Sequence, residues 1–357
     1  MTPAQVLGAR LAAQHLTSAP LSSAADVVRH LTCVQSQEPT YAPYSLGLRM
    51  RRATQRSVWD SLGSGAFVRT HILRPTWHYV AGEDLRWIQA ATAPRVLATM
   101  AGRHRRLAID DRLVLDVERV LLPLLSQGPL TRREISAALS SRGFELPGER
   151  LGHTLMIFEL RSLICSGPMS GTTHTYRPVT DSAPLRHSGD AALRELARRF
   201  YRGHGPASIA DFARWASLTK TQASAATRDA GDVLDTVCCG DVVLYVDPAY
   251  SPPLARRPRT MLLPLFDEAV LTSPDLPFER PAGHPHEGQR FAWMGDNPGA
   301  GTVLHRGRDV GAWSRTYPGP DTVQISLRLA PGLDASDLAA IDQAGARYAR
   351  FLGRALV

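Results

Sequence analysis

Two glutamines stand two positions apart in VQSQEPTYAPYSLGLRMR, residues 34–51. A glutamine amide is no strong base at neutral pH, yet its carbonyl oxygen can orient a water and turn a dipole toward developing positive charge. Gln35 and Gln37 fall where a helix predicted over 24–36 ends. On a helix they would not share a face, but at an irregular terminus both can point into one cleft. The plainer reading is that they satisfy backbone groups at the helix end. Glu38 adds a carboxylate, Tyr41 and Tyr44 follow, and Arg49, Arg51 and Arg52 close the segment. A second cluster, RTHILRPTWHYV at 69–80, gathers Arg69, His71, Arg74, Trp77 and His78. If it is a strand pair, alternate residues share a face, and His71, Trp77 and His78 are expected to line a pocket. The plainer reading is a core strand pair with a half-buried Trp and two solvated His.

Other chemistries leave no trace. GxSxG, GxxxxGK[ST] and HExxH are absent. Cys33, Cys165, Cys238 and Cys239 form no CxxC pair, which argues against a zinc or disulfide framework. His284 and His286 could touch a metal, but 273–289 is rich in Pro, Gly and His and reads as an exposed loop. No metal or cofactor is expected.

Lys and Arg total 41, and Lys220 is the single lysine. Genome composition accounts for the ratio, yet it limits Schiff-base chemistry to Lys220 or the N-terminal amine. The net charge is +8, and residues 1–125 carry 15 Arg against 9 acidic residues. Such an excess on one module is a footprint for a polyanion such as nucleic acid.

These groups need elements to hold them. A chain of 357 residues exceeds what one core supports. Its 44% hydrophobic and 21% charged residues exclude wholesale disorder. No apolar run is long enough to span a membrane. The amphipathic start MTPAQVLGARLAAQHL lacks the pattern of a signal peptide, so a cytoplasmic protein is expected. Residues 117–126 read as a helix. A Gly128-Pro129 break and a Thr131/Glu134 capping box open a second, 149–164 gives a third, and two short strands follow, the order of a winged helix-turn-helix. The pattern recurs over 191–203, a Gly205-Pro206 break, a Ser208 cap, 219–230 and a hairpin at 233–248. Helices at 4–16, 24–36, 54–64 and 83–106 with a strand pair at 66–81 form another such unit. Short β-rich runs and a helix at 334–355 end the chain. The expected fold is α+β: three tandem winged-helix domains (1–125, 126–185, 186–250) and a small antiparallel β-domain (251–357).

The sequence resembles the bacterial AlkZ-type DNA glycosylases, a winged-helix family. The likeness runs over nearly the whole chain. Its carriers are Gln35-Ser36-Gln37, THILRPTWHYV at 70–80, GPASIADFARWASLT at 205–219, LLPLFDEAVL at 262–271 and GTVLHRGRDVGAW at 301–313. The resemblance implies a basic, C-shaped channel and excision of bulky N7-alkylated guanines, with interstrand-crosslink unhooking and antibiotic self-resistance in some members. Relatives with an acid at the second Gln are broader alkylpurine glycosylases, and this chain keeps Gln37. It departs at the middle position, usually apolar and here Ser36.

An N7-alkylated purine is a cationic base with a weakened glycosidic bond, so little acid catalysis is needed. What remains is to place a water at the sugar carbon and tolerate the oxocarbenium. The resemblance assigns the water to Gln35, with Gln37 in support and Glu38 as an alternative base. Scarce lysine implies a monofunctional enzyme. Arg49, Arg51, Arg52 and Arg74 are candidates for phosphate contacts. The expected partner is double-stranded DNA with alkylated bases, bound by a monomer. The rivals are a winged-helix transcription regulator and a noncatalytic damage-binding protein.

Overall fold

The computed structural model describes residues 1–180, 184–250, 260–272, 275, 277–287 and 300–357. Helices and strands are intermingled along the chain, a mixed α+β structure. Two compact units interleave along the chain. One is built from Met1–Val58, Arg198–Phe212 and Gly231–Val357, the other from Trp59–Ala197 and Ala213–Ala230.

The first unit starts with the helix Pro3–Ala13. Thr2 and Gln5 form a capping box and proline takes the first helical position, where its missing N–H costs nothing. The helix buries Leu11 against Leu16, Met261, Leu263, Phe278 and Leu304. Ser23 caps the helix Ala24–Leu31, which stops five residues short of its predicted end. The chain turns at Thr32 (φ 69°, ψ −55°) and Cys33–Gln35 run as a strand. Helical periodicity continues past the break in the sequence, and only the backbone turn ends it.

The C-terminal runs form one five-stranded sheet in the order Ala355–Leu356, Thr322–Leu329, Arg308–Thr316, Gly301–His305, Met261–Leu263, antiparallel except for the first pair. Gly301 permits a close approach there, since a Cβ would sit 2.3 Å from the Leu263 carbonyl and 2.4 Å from the Trp313 indole nitrogen. The indole N–H instead donates to Leu263 O at 2.7 Å. The helix Ala335–Leu352 packs on this sheet, with Tyr348 edge-on to Trp313. The expected exposed loop is corrected in part. His284 and His286 are 4% and 2% exposed, and Asp309 engages both the His284 ring (3.0 Å) and Arg280 (2.7 Å). Asp309 is 25 residues from His284 in sequence, a long-range partner that local composition does not reveal. Residues 273–274, 276 and 288–289 of that stretch lie outside the described residues, as do 291–299 of the predicted β run. Among the described residues no group of three or more His, Cys, Asp or Glu is placed to hold a metal.

The second unit holds the antiparallel hairpin Val68–Ile72/Arg74–Val80, the helices Gly82–Arg106, Asp111–Gln127, Arg132–Ser140 and Glu149–Leu160, and a three-stranded sheet. That sheet runs Leu130–Thr131, Thr175–Pro178, Ile164–Ser166. Thr131 and Glu134 form the expected capping box. Val117, Leu121, Leu125, Ile135, Leu139, Leu155, Phe158 and Ile164 make its core. Further along the chain come the helices Gly189–His204, Ile209–Trp215 and Lys220–Asp229 and the hairpin Asp235–Cys239/Val242–Val246. Gly240 takes a positive φ at the hairpin turn, a conformation glycine adopts without steric cost. Among the described residues no helix is long and apolar enough to cross a membrane.

Candidate functional site

In the first unit the QSQ segment leaves the core one residue at a time. Cys33 and Val34 are fully buried, Gln35 is 8% exposed and Ser36 is again fully buried. Gln37 and Glu38 are half-buried, and Thr40 is exposed. Ser36 thus fills the inward position that an apolar residue would take.

Beneath the segment lies a pair of acids from LLPLFDEAVL. Asp267 and Glu268 are both 0% exposed. Asp267 caps the short helix Glu268–Leu271. It receives both arms of the Arg49 guanidinium (2.8 and 2.9 Å) and the Ser45 hydroxyl (2.6 Å). Arg49 also donates to Gln14 Oε1 (2.7 Å) and Ser45 O (2.8 Å). Arg49, a candidate for phosphate contact, is itself fully buried and is corrected to a structural ion pair. A bidentate pair of this kind is short and directional, and a charge so deep in the fold needs such a partner. Glu268 points at the motif, and the main-chain N–H of Gln35 donates to its Oε1 at 2.7 Å. Its Oε2 faces His204 Nε2 at 3.4 Å.

The loop after the motif is held from the C-terminal sheet. The Arg315 guanidinium lies 3.4 Å over the Tyr41 ring and donates to Thr40 Oγ1 (2.7 Å) and Tyr317 OH (2.6 Å). Tyr41 also meets Trp313 edge-on. Burial pushes the Tyr41 hydroxyl up, and Arg315 opposes that shift. Glu38 Oε1 accepts from both the N–H (3.2 Å) and the hydroxyl (2.7 Å) of Thr40. That oxygen therefore caps the loop. Arg51 and Arg52 are exposed, as a phosphate contact requires.

In the second unit the RTHILRPTWHYV segment is the expected strand pair, but its side chains are shared out differently. Arg69 pairs with Tyr79 and His71 with Trp77 across the hairpin, so these four share one face. His78 is adjacent to Trp77 and faces the other way, so the three-residue pocket of His71, Trp77 and His78 does not form. His71 Nδ1 bonds the Glu159 carboxylate. His71 also packs 4.2 Å from the Trp77 ring, and the Arg69 guanidinium sits 4.5 Å over it. His78 is fully buried, with Nδ1 2.9 Å from Thr76 O and Nε2 3.0 Å from Arg74. The His rings expected in solvent are core groups. Arg74 is half-buried and also reaches Trp215 O at 3.4 Å.

The arginine excess of the first third is correspondingly weaker at the surface. Arg10, Arg49 and Arg69 are buried, and desolvation lowers Arg10 to about 10 despite Asp211 nearby. Asp267, Glu268 and His204 went unassigned in the sequence. The available signal was two acids inside an apolar run, since such acids are almost never fully buried unless paired.

A family model described as DNA glycosylase AlkZ-like matches residues 28–351. A curated relative from Streptomyces sahachiroi, named interstrand DNA cross-link repair glycosylase, is 25% identical over 252 residues, 67% of each chain. The solved structure of Streptomyces sahachiroi DNA glycosylase AlkZ matches at a TM-score of 0.76 over 100% of both chains, with 22% identity, a likeness of fold. The family match takes in the QSQ strand, the hairpin, the acid pair and four of the five strands of the C-terminal sheet, and this chain belongs to the AlkZ-like DNA glycosylase family.

Proposed function

We propose that this protein is a monofunctional glycosylase that hydrolyses the N-glycosidic bond of bulky N7-alkylated purines in duplex DNA. Gln35 orients the attacking water through its amide oxygen, and Gln37, half-exposed beside it, supports the same water or the sugar. The observation that carries this reading is the anchoring of Gln35. Its main-chain N–H is tied to a buried carboxylate at 2.7 Å, which fixes where the residue sits. A cationic leaving base asks for a placed water rather than a strong acid or base, and positioning of that kind is what an amide supplies. The name of the curated relative supports extension to interstrand crosslinks. No amine enters the mechanism. Lys220 is the single lysine, exposed at the start of the helix Lys220–Asp229. Arg51 and Arg52, exposed arginines that follow the motif in sequence, are assigned to phosphates, with half-buried Arg74 as a weaker candidate.

Three winged helices in tandem (1–125, 126–185, 186–250) and a β-domain (251–357) remain the domain reading. The three-stranded sheet with Leu130–Thr131 beside Thr175–Pro178 supports it for the second repeat. A monomer in the cytoplasm, acting on the nucleoid, fits this function. The regulator reading loses support at the helix Glu149–Leu160. All seven residues from Thr154 to Leu160 are buried, whereas a recognition helix must present side chains to a groove.

The test is base release from duplexes carrying N7-methylguanine or a bulky N7 adduct. Wild type releases the base and leaves an alkali-labile site without nicking the strand, and borohydride traps no adduct. Gln35→Ala lowers release by roughly 100-fold. Release from neither duplex, or efficient borohydride trapping, overturns the proposal.

A further inference from the structure

We propose that Glu268 is a positioning residue of this glycosylase, setting through its carboxylate the place of Gln35 and of the water that Gln35 holds. The inference rests on the assignment of Gln35 to water positioning made above. Glu268 is 233 residues away in sequence and fully buried, yet it spends one oxygen on the Gln35 N–H at 2.7 Å. An N–H to a carboxylate is a charge-assisted bond, shorter and stiffer than a bond to a carbonyl. The carboxylate is itself held. Asp267 before it is fixed by Arg49 and Ser45, so the backbone of Glu268 has little freedom. On the other oxygen, His204 Nε2 lies at 3.4 Å, and its Nδ1 is 3.3 Å from Phe200 O. The Phe200 ring stacks on His204 at 5.1 Å and 13°.

The motif is constrained from the other side as well. Thr32 is a β-branched residue in a strained γ-turn conformation (φ 69°, ψ −55°), three residues before Gln35. Such strain persists only where the surroundings over-determine it, and it gathers at functional sites. Gln35 is therefore located by a fixed turn behind it and a fixed carboxylate on its main chain. A misplacement of about 1 Å at a positioned reactant costs on the order of 100-fold in rate.

Two variants separate reach from charge. Glu268→Asp keeps the charge and withdraws the carboxylate by about one carbon–carbon bond, roughly 1.5 Å. Glu268→Gln keeps the reach, since its amide oxygen accepts from Gln35 N–H and its amide nitrogen donates to His204 Nε2. With both variants folded by circular dichroism, single-turnover base release from a bulky N7 adduct should fall 10- to 100-fold for Glu268→Asp, estimated from the cost of misplacement. Glu268→Gln should stay within about threefold of wild type, with duplex affinity unchanged in both, the mark of an effect on the chemical step. The double variant Gln35→Ala/Glu268→Asp should be no slower than Gln35→Ala alone, since both act through one group. If Glu268→Asp matches wild type while Gln35→Ala is inactive, the positioning role is overturned and the Gln35 assignment stands. If Gln35→Ala is fully active, the Gln35 assignment fails and this inference fails with it. Loss in Glu268→Gln equal to that in Glu268→Asp would show that restoring the reach does not restore the rate, and would also overturn it.

Discussion

The QSQ strand and the 68–80 hairpin draw attention for the same reason, a density of polar and aromatic side chains, and they resolve in opposite ways. In the hairpin the polar groups are used up by one another. His71 goes to Glu159, Arg69 to the Trp77 ring, and His78 to Thr76 O and Arg74. In the QSQ strand Glu268 instead holds the main-chain N–H of Gln35, and exposure rises toward Gln37. The lesson concerns where satisfaction occurs. A side chain bonded within the fold supports that fold, whereas a buried carboxylate bonded to a backbone N–H fixes where that residue sits.

Breaking each region separately tests that contrast. The largest effect is expected below the motif. Arg49→Met leaves Asp267 buried and without its guanidinium, and a broken buried ion pair costs about 3–5 kcal/mol. Chemical denaturation should show a loss of that size. In the hairpin region Glu159→Gln weakens the bond to His71 without exposing it, so the loss should be about 1–3 kcal/mol. Folded Glu159→Gln should keep its rate of base release within about threefold, because that bond serves packing.

Acid sensitivity comes next and draws on both units. Burial lowers His30 in the first and His174 in the second to about 3. Both folded values lie below the ordinary 6.5, so the folded state prefers the neutral ring. Their contribution is fully present above pH 6.5 and is lost as pH falls from 6.5 toward 3. Each contributes a slope on the order of 1 kcal/mol per pH unit in that window. Melting temperatures measured from pH 7.5 to 4.5 should decline, and His174→Leu should flatten the decline. The smallest effect is at the surface. Arg51→Ala and Arg52→Ala should each weaken duplex binding a few-fold and reduce the slope of log K against log salt by about 0.9 if each neutralises one phosphate.

Much of this was legible in the sequence, and the parts that were not share a cause. The capping box at Thr131, the Gly240 turn and the helix expected over 83–106 depend on neighbours within a few residues, so local pattern found them. The motif blocks were equally readable, and the family they resemble is the one to which the chain belongs. Long-range partnerships were not legible. Nothing near Arg49 in sequence announces Asp267, and nothing near His284 announces Asp309. The early end of the helix Ala24–Leu31 turns on the backbone angle of Thr32, which residue type does not specify. The pocket expected from His71, Trp77 and His78 failed for a simpler reason, since neighbouring strand residues face opposite sides.

The central claim is that chemistry belongs to the QSQ strand and architecture to the hairpin. Its most direct test is single-turnover base release from a duplex with one bulky N7-alkylguanine, run side by side for wild type, Gln35→Ala and Glu159→Gln. The account predicts a loss of roughly 100-fold for Gln35→Ala and near-wild-type release for folded Glu159→Gln. The reverse ranking, with Gln35→Ala active and folded Glu159→Gln inactive, would contradict it.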